Sequence, residues 1–410
     1  MKKLDLEIVR DHFPALDNDW AFFDNAGGSQ TLRHVGERIQ DYLFTTNVQL
    51  GASYGVSQKS GERVIEAQRI WAEAIHARSE SEVVFGPSTT ALIRNLALSM
   101  VQQFRPGDEV IVANCDHEAN IGPWVGMEKL GIHVKIWKIN PEAFTLDLDE
   151  LRKLMTEKTR LVAFTHVSNI LGTINPIEEI TQMIHEHGAK VCVDGVAYAP
   201  HRLVDVQKWD VDFYVFSLYK VYGPHFALMF GKQEHLKELP GINHFFIGEN
   251  EVPYKLQPGS MNYELSWGST GIIEYFKDIY SRHFGDNKLP LHEKLKMVFS
   301  LIASHEETLV KPLIGFLESR EGIKLIGGNT FNKSIRVPTV SFVSEKLKSS
   351  KVPSLVDPYK IGIRWGDFYA RRLMDDLGLT GKGGVVRISM VHYNTHEEVG
   401  KLLNVLDRIL

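Results

Sequence analysis

Between about residue 82 and residue 230, short apolar runs rich in β-branched residues alternate with stretches of helical periodicity. This alternation predicts an α/β fold with a parallel sheet whose strands are joined by crossover helices. Several runs are apolar almost throughout, as strands buried on both faces require. The predicted strands cover residues 82–85, 109–113, 133–139, 161–165, 190–193, 212–216 and 226–230.

The C-terminal part of the chain has a different pattern. Residues 57–77 and 289–317 have helical periodicity, and the second stretch is long enough to link a large domain to a smaller one. Pro312 is a position where that helix is expected to kink or break. Strands at 335–343 and 385–391 and helices at 368–377 and 395–409 are predicted to follow. We predict an N-terminal segment 1–20 packing with the small domain, a large domain 21–285 and a small α+β domain 286–410.

Composition excludes several classes of protein. The chain has 410 residues, 43% of them hydrophobic, and a net charge of -5 with both signs interspersed. It therefore has no basic patch for nucleic acid or an anionic membrane surface. No run approaches the roughly 18 apolar residues of a membrane span, and no signal peptide is evident, so we expect a cytoplasmic protein. Two isolated cysteines, Cys115 and Cys192, are typical of a reducing compartment.

A lysine and an aspartate follow neighbouring predicted strands. Asp194 ends the apolar strand in KVCVDGVAYAPH, and Lys220 follows the next one in DFYVFSLYKVYGP. Ligands of such sheets bind beyond the carboxyl ends of the strands. Pyridoxal 5'-phosphate (PLP) needs this pair, a lysine for the Schiff base and a carboxylate that keeps the ring nitrogen protonated. Taken singly, each residue is more typical of a solvated lysine or of a turn.

Hydroxyl side chains near two strand ends suit a phosphate group. In EVVFGPSTTALIRNLALSM a strand and a tight turn precede Ser88, Thr89 and Thr90, which open an amphipathic helix. The free N–H groups and hydroxyls at a helix start can bind an anion. N-capping alone is the other interpretation. Ser217, three residues before Lys220, is either a further hydroxyl donor or a strand-end serine bonded to backbone.

Four more residues are candidates for the site. His117 in NCDHEANIGPW can lie over a cofactor ring and relay protons, and Asn169 in THVSNILGTINPIEEI can contact a phenolic oxygen. Arg364 and Arg387 offer the fork that holds an α-carboxylate. Each also has an ordinary interpretation as a loop, turn or salt-bridge residue. His117 lacks an HExxH partner, so no metal site is predicted.

Seven motifs in order resemble the class V aminotransferases, in particular the cysteine desulfurase and selenocysteine lyase branch, over nearly the whole chain. They are FFDNAGG, STTALIRNLALS, DHEANIGPW, HVSNILGTINP, VDGVAYAPH, FSLYKVYGP and VRISMVHYNTHEEV. The resemblance implies a PLP-dependent transferase of fold type I, a homodimer with active sites at the subunit interface. It implies these roles: Lys220 in the Schiff base, Asp194 on the pyridinium, His117 stacked on the ring, Asn169 on the phenolic oxygen, Thr89, Thr90 and Ser217 on the phosphate with Ser260 from the neighbouring subunit, Arg387 on the carboxylate and Arg364 as a second substrate-side arginine.

The chain departs from that branch where the reaction is determined. Desulfurases of the branch carry a nucleophilic cysteine in a loop that here reads RWGDFYA, with Tyr369 in its place. Persulfide formation needs a thiolate, which a phenol cannot replace. Ala197 also replaces a glutamine near the phenolic oxygen, and Tyr219 a histidine before the lysine. Conventional cysteine desulfuration is therefore not expected.

These observations lead to one main hypothesis and two alternatives. The main hypothesis is an enzyme that joins an amino acid to PLP as an external aldimine, with Lys220 removing the α-proton. The product would arise by β-elimination or by C–S or C–Se cleavage without a protein persulfide. A class V aminotransferase or an amino-acid epimerase is the first alternative. The second is of another class, a non-catalytic PLP-binding regulator.

Overall fold

The structure is a computed structural model that describes residues 2–410. The strands are β1 (Ala21–Phe22), β2 (Val83–Gly86), β3 (Glu109–Ala113), β4 (His133–Trp137), β5 (Ile139–Asn140), β6 (Thr145–Leu146), β7 (Thr159–Thr165), β8 (Lys190–Asp194), β9 (Phe213–Ser217), β10 (Ala227–Gly231), β11 (Ile323–Ile326), β12 (Thr339–Ser344), β13 (Ile361–Gly362), β14 (Arg364–Gly366) and β15 (Val385–Ser389). The α-helices are α1 (Leu6–Asp11), α2 (Arg33–Thr45), α3 (Gly55–Ala74), α4 (Thr89–Met100), α5 (Gly122–Val125), α6 (Leu148–Leu154), α7 (Ile177–Glu186), α8 (Val206–Trp209), α9 (Gln233–Glu238), α10 (Tyr263–Phe284), α11 (Leu291–Glu318), α12 (Val352–Val356), α13 (Arg371–Asp376) and α14 (His396–Ile409).

The larger sheet has seven strands in the order β2-β10-β9-β8-β7-β3-β4. Neighbouring strands are parallel except at β10, which is antiparallel to both β2 and β9. Alternate residues of one strand enter different cores, since Ile111 of β3 packs on one face and Val110 on the other. The prediction of a mainly parallel seven-stranded sheet covered by helices on both faces is confirmed.

Several predicted boundaries in this part are wrong by a few residues. The predicted strand 133–139 is two elements, β4 and β5, and β5 forms a hairpin with β6 instead of joining the large sheet. The predicted helix 57–77 is α3, which starts at Gly55 and ends at Ala74. It ends there because His76 has a φ of 62°, a left-handed conformation that cannot continue a right-handed helix.

Helix α11 continues through Pro312 without interruption, so the prediction of a break at that residue is wrong. Proline removes one backbone hydrogen bond to the carbonyl four residues earlier, here that of Thr308. Pro312 and Thr308 both lie on the exposed side of the helix, where water can bind the freed carbonyl. Helix α10, which precedes α11, has no counterpart in the sequence-based predictions.

The smaller sheet is antiparallel, with the order β11-β12-β15-β14. The predicted strand 335–343 begins only at Thr339, because the preceding residues form a turn in which Ile335 N donates to Asn332 O. The predicted helix 368–377 is also wrong at its start: Phe368 and Tyr369 have φ values of 51° and 60° and form a turn before α13. Strand β14 was not predicted, and it places Arg364 opposite Arg387 of β15.

The N-terminal residues contact several parts of the fold. Arg10 donates hydrogen bonds to the carbonyl of Tyr393 and to Glu398, while the amide of Asp5 donates to His283 in α10. Strand β1 pairs with β13, and the bridge between Asp24 and Ser389 places Asp24 beside the end of β15. Within residues 2–410, every helix is too short or too polar to cross a lipid bilayer.

Candidate active site

A cavity lies at the edge where β7, β8 and β9 end and helix α4 begins. It contains about 530 Å³ of space free of protein atoms, part of which is open to solvent. Eight of the candidate site residues named from the sequence line it, as do Ala197 and Tyr219 and four residues that the sequence did not single out. The lining consists of Ser88, Thr89, Thr90, His117, Ala119, Thr165, Val167, Asn169, Asp194, Val196, Ala197, Ser217, Tyr219 and Lys220.

Asp194 and Lys220 are both buried in the wall of this cavity. Asp194 is the last residue of β8, and its Oδ1 accepts a hydrogen bond from the amide of Val196 at 2.8 Å. Burial raises the pKa of this carboxyl to about 6. Lys220 lies in a tight turn after β9, where burial and then the charge of Arg387 lower the pKa of its amine to about 8. The site therefore holds a lysine that readily becomes neutral, which a nucleophilic amine requires.

Hydroxyl groups line the cavity at the start of α4. The Oγ of Ser88 accepts a hydrogen bond from the amide of Ala91 at 3.1 Å, so Ser88 is the helix N-cap. The Oγ1 of Thr89 lies 2.7 Å from the Oγ of Ser217, which joins the start of α4 to the end of β9. The first N–H groups of a helix have no acceptor within the helix and carry its positive dipole end. Thr89, Thr90 and Ser217 together form a surface suited to a phosphate dianion.

His117 follows β3 and lines the cavity. One hydrogen bond defines the tautomer of its neutral ring. Its Nδ1 accepts a hydrogen bond from the amide of Ala119 at 3.1 Å, so the neutral ring carries its proton on Nε2. Burial, followed by the charges of Lys220 and Arg387, lowers the pKa of His117 to about 4. The ring is therefore neutral near pH 7. The ring of Tyr369 lies 5.1 Å away at an angle of 35°.

Asn169 is a buried residue in the lining of the cavity. Its Nδ2 donates a hydrogen bond to the carbonyl of Phe368 at 2.9 Å. Its Oδ1 is buried and has no hydrogen-bond partner among residues 2–410. Buried polar atoms are normally paired in folded proteins, so an unpaired amide beside a cavity indicates a polar ligand.

Arg387 lies just behind the cavity, in β15, and is only 1% exposed. Its Nη2 donates to Oδ1 of Asp24 at 2.9 Å and its Nη1 to the carbonyl of Asn169 at 3.3 Å. The ring of Phe368 covers the guanidinium at 3.8 Å, a cation–π contact. Arg364 is exposed, and its Nη1 lies 3.4 Å from Oδ2 of Asp24. Asp24 was not singled out from the sequence, although FFDNAGG was noted as a motif.

Three of the predicted site residues do not line the cavity. Arg387 and Arg364 lie next to it, and Ser260 is exposed on a loop away from it. The role of Ser260 depended on a second subunit, so this position within one chain leaves that prediction open. Tyr219 lines the cavity and stacks on His225 at 4.7 Å, which explains why an aromatic ring is accommodated before the lysine.

The residues present match the polar groups of PLP one by one. A buried amine can bind the aldehyde carbon, a buried carboxylate can bind a protonated ring nitrogen, and the start of α4 can bind the phosphate. The unpaired Oδ1 of Asn169 is a buried polar atom that a bound ligand can pair, and the buried carboxylate of Asp194 suits a positively charged ring nitrogen. The cavity therefore fits this cofactor.

Comparisons with known proteins agree with this geometry. The family model "Aminotransferase class-V" matches residues 21–298 and 291–402. "Aminotransferase-like protein FGM3" of Gibberella zeae is 43% identical over 99% of this chain and 98% of its own length. "Cysteine desulfurase-like protein ustD" of Aspergillus flavus is 33% identical over 99% of this chain and 91% of its own.

Solved structures of cysteine desulfurases share the fold. CsdA of Escherichia coli superposes with a TM-score of 0.83 at 26% identity and covers 99% of this chain and 98% of its own. The desulfurase of Thermococcus onnurineus NA1 has a TM-score of 0.86 at 26% identity, with 100% of this chain and 98% of its own covered. The chain therefore belongs to the class V aminotransferase family and is a PLP-dependent enzyme.

Proposed function

We propose that this enzyme is a cysteine desulfurase-like lyase that cleaves an amino acid by β-elimination or by C–S or C–Se cleavage without a protein persulfide. The positions of the two cysteine sulfur atoms support a reaction that forms no persulfide on the protein. Cys115 and Cys192 are both buried, and neither lines the cavity. Burial raises the pKa of both thiols well above the ordinary value, so neither is available as a thiolate near pH 7.

The turn that packs against His117, a cavity residue, carries a phenol instead of a thiol. Tyr369 is 70% exposed and lies against the ring of His117. Its carbonyl accepts a hydrogen bond from the amide of Glu118 at 2.8 Å, which ties this turn to the loop that carries His117. We infer that Tyr369 borders the substrate side chain and that leaving sulfur or selenium departs as a small molecule.

The residues around the cavity have distinct tasks in this proposal. PLP, when bound, withdraws electrons from the α-carbon of the amino acid. Lys220 holds the cofactor and then moves the α-proton, for which its lowered pKa near 8 is suited. Asp194 keeps the ring nitrogen protonated. His117 packs on the ring, and Asn169 binds the phenolic oxygen.

The remaining residues bind the phosphate and the substrate carboxylate. Thr89, Thr90 and Ser217 hold the phosphate, with Ser260 supplied by the second subunit of a homodimer. Arg387 binds the α-carboxylate, and Arg364 lies at the substrate entrance. We further infer a cytoplasmic enzyme, because the reduced cysteines fit that compartment.

The attachment of the cofactor is tested by reduction. PLP-loaded protein is treated with borohydride, digested and mapped by mass spectrometry, in parallel with Lys220→Ala and with the control Lys382→Ala on an exposed turn. We expect one reduced adduct on Lys220 in the wild type and in the control, and none in Lys220→Ala. An unmodified Lys220 would overturn the proposal.

The type of reaction is tested with a panel of L- and D-amino acids and product analysis. A lyase releases a keto acid and ammonia or a thiol without any acceptor. Transamination stops after one turnover until a keto acid is added, and epimerisation returns the other enantiomer. The last two outcomes favour the aminotransferase or epimerase alternative, and no change with any amino acid favours a PLP-binding regulator.

A further inference from the structure

A second group of polar side chains lies where three helices meet, outside the cavity. His76 follows the C-terminal end of α3, Asp205 is the N-cap of α8, and His292 is in the first turn of α11. One ligand atom from each residue lies within 4.8 Å of the other two. Nδ1 of His76 lies 2.8 Å from Oδ1 of Asp205, and Nε2 of His292 lies 3.3 Å from Oδ2.

A hydrogen bond to a backbone carbonyl fixes a proton on one ring nitrogen of His292. Nδ1 lies 3.1 Å from the carbonyl of Ala74, an atom that only accepts, so Nδ1 carries a proton. In the neutral ring, Nε2 then directs a lone pair towards the carboxylate of Asp205. Such a contact is repulsive unless a proton on Nε2 or a metal ion lies between the two atoms. Histidines that bind metals have this arrangement, since they donate the other N–H to a carbonyl or a carboxylate.

The three side chains are also held in place before any ion binds. Asp205 accepts a hydrogen bond from the amide of Lys208 at 3.0 Å, and the rings of His76 and His292 stack at 4.5 Å with an angle of 24°. In a tetrahedral site with bonds of about 2.0–2.1 Å, ligand atoms lie about 3.3 Å apart. The His76 nitrogen lies 2.8 Å from Oδ1 of Asp205 and the His292 nitrogen lies 3.3 Å from Oδ2, so the carboxylate must rotate to present one oxygen to an ion bound by both rings.

We propose that His76, Asp205 and His292 form a binding site for Zn²⁺, with water as the fourth ligand. Two imidazole nitrogens and one carboxylate oxygen suit Zn²⁺ and related transition metals, whereas Mg²⁺ and Ca²⁺ prefer oxygen ligands. The side chain of His76 is 46% exposed, which gives the ion access from solvent. With both histidines neutral, the charges of Zn²⁺ and the Asp205 carboxylate sum to +1.

The ion would join three separate parts of the chain. It would link the end of α3 and the start of α8, both next to the large sheet, to the start of α11, which leads to the small sheet. None of the three ligands lines the PLP cavity. The site is therefore structural, and binding should raise the thermal stability of the holoenzyme by mass action.

Metal titration of the PLP-loaded, metal-free enzyme tests this site. After removal of free PLP, Zn²⁺ is titrated by calorimetry, Co²⁺ is added as a visible probe of tetrahedral coordination, and Mg²⁺ serves as the negative control. The variants are His76→Ala, whose side chain is half exposed, and Asp205→Asn, which preserves the helix cap. The matched control is His187→Ala, an exposed histidine at the end of α7.

We expect one Zn²⁺ per chain in the wild type and in His187→Ala, together with a higher melting temperature. His76→Ala and Asp205→Asn should weaken binding by about 100-fold or more, since loss of an outer-shell partner alone costs about 10- to 100-fold. Zn²⁺ should not raise the melting temperature of either variant. No stoichiometric binding in the wild type, or equal binding in His76→Ala, would overturn the proposal and would leave a proton as the cation between His292 and Asp205.

Discussion

Asp24 forms an ion pair with Arg387, with Oδ1 2.9 Å from Nη2, beside the place where we expect a substrate carboxylate. The second oxygen of Asp24 lies 3.4 Å from Arg364. One internal carboxylate therefore partly neutralises both arginines. A substrate carboxylate must either share Arg387 with Asp24 or displace Asp24 from Arg387.

Removing the charge of Asp24 should strengthen substrate binding. In Asp24→Asn the amide keeps the size of the side chain but no longer neutralises Arg387, so KM for the amino acid should fall by about tenfold, equivalent to about 1.4 kcal/mol. Steady-state kinetics measure this KM. The control is Asp149→Asn, which removes the acidic member of the exposed ion pair with Arg152. A higher KM in Asp24→Asn would instead mean that Asp24 mainly positions Arg387.

Shortening the arginine fork should have the opposite effect. Arg387→Lys keeps the charge but loses the two parallel hydrogen bonds to a carboxylate and the planar contact with Phe368. We expect kcat/KM to fall by about 100-fold, mostly through KM. Arg364→Lys, at an exposed position, should change kcat/KM by less than about tenfold. Equal losses in both variants would contradict this assignment.

Replacing Asp194 should separate cofactor binding from catalysis. In Asp194→Asn the amide still fits the buried position, but it no longer holds a proton on the ring nitrogen. We expect kcat to fall by about 10³-fold while Lys220 still forms the borohydride-reducible adduct. Absorbance and mass spectrometry follow the adduct, and initial rates follow kcat. Nearly normal kcat in this variant would remove Asp194 from the mechanism.

The rate of cofactor loading should depend on pH through Lys220. Burial and the charge of Arg387 lower the pKa of the amine in the cofactor-free protein from 10.5 to about 8. The neutral amine is the reactive form, so the loading rate should rise up to about pH 8 and then level off. Arg387→Met removes one charge that lowers this pKa, and its profile should shift to higher pH. A wild-type rate that still rises above pH 10 would contradict the lowered pKa.

The two cysteines should be dispensable. The double variant Cys115→Ala/Cys192→Ala should keep kcat within about twofold, with a lower melting temperature because both residues are buried in the core. Incubation of the wild type with L-cysteine should leave no persulfide on either peptide by mass spectrometry. A persulfide on Cys115 or Cys192, or loss of turnover in the folded double variant, would restore a thiol to the reaction.

The sequence predicted the large sheet well, because its strands are almost continuously apolar and bounded by polar turns. It also predicted the neighbours Asp194 and Lys220, since residues at the ends of adjacent parallel strands meet at one edge. The structure places eight of the predicted site residues around one cavity, but their roles and that of Ser260 stay predictions. The domain borders at residues 20 and 285 also stay predictions.

Other features could not be predicted, because they depend on contacts between distant segments. Asp24 meets Arg387 only because β1 pairs with β13 and the chain then passes the end of β15. Phe368 and Tyr369 both have left-handed backbone, a conformation that bulky residues rarely adopt. The sequence of this turn instead resembles the start of a helix. His76, Asp205 and His292 come from three separate helix ends, so no local spacing indicates them.

The reversed strand β10 has a geometric consequence for the phosphate-binding surface. It separates β2 from β9, yet the hydroxyl of Thr89, at the start of the helix that follows β2, lies 2.7 Å from that of Ser217 at the end of β9. The chain reverses between β9 and β10, and the amide of Leu218 donates to the carbonyl of Phe226 at 2.8 Å across this reversal. The segment from Leu218 to Phe226 therefore reverses the chain and also carries Lys220, so the position of the amine depends on the geometry of this reversal.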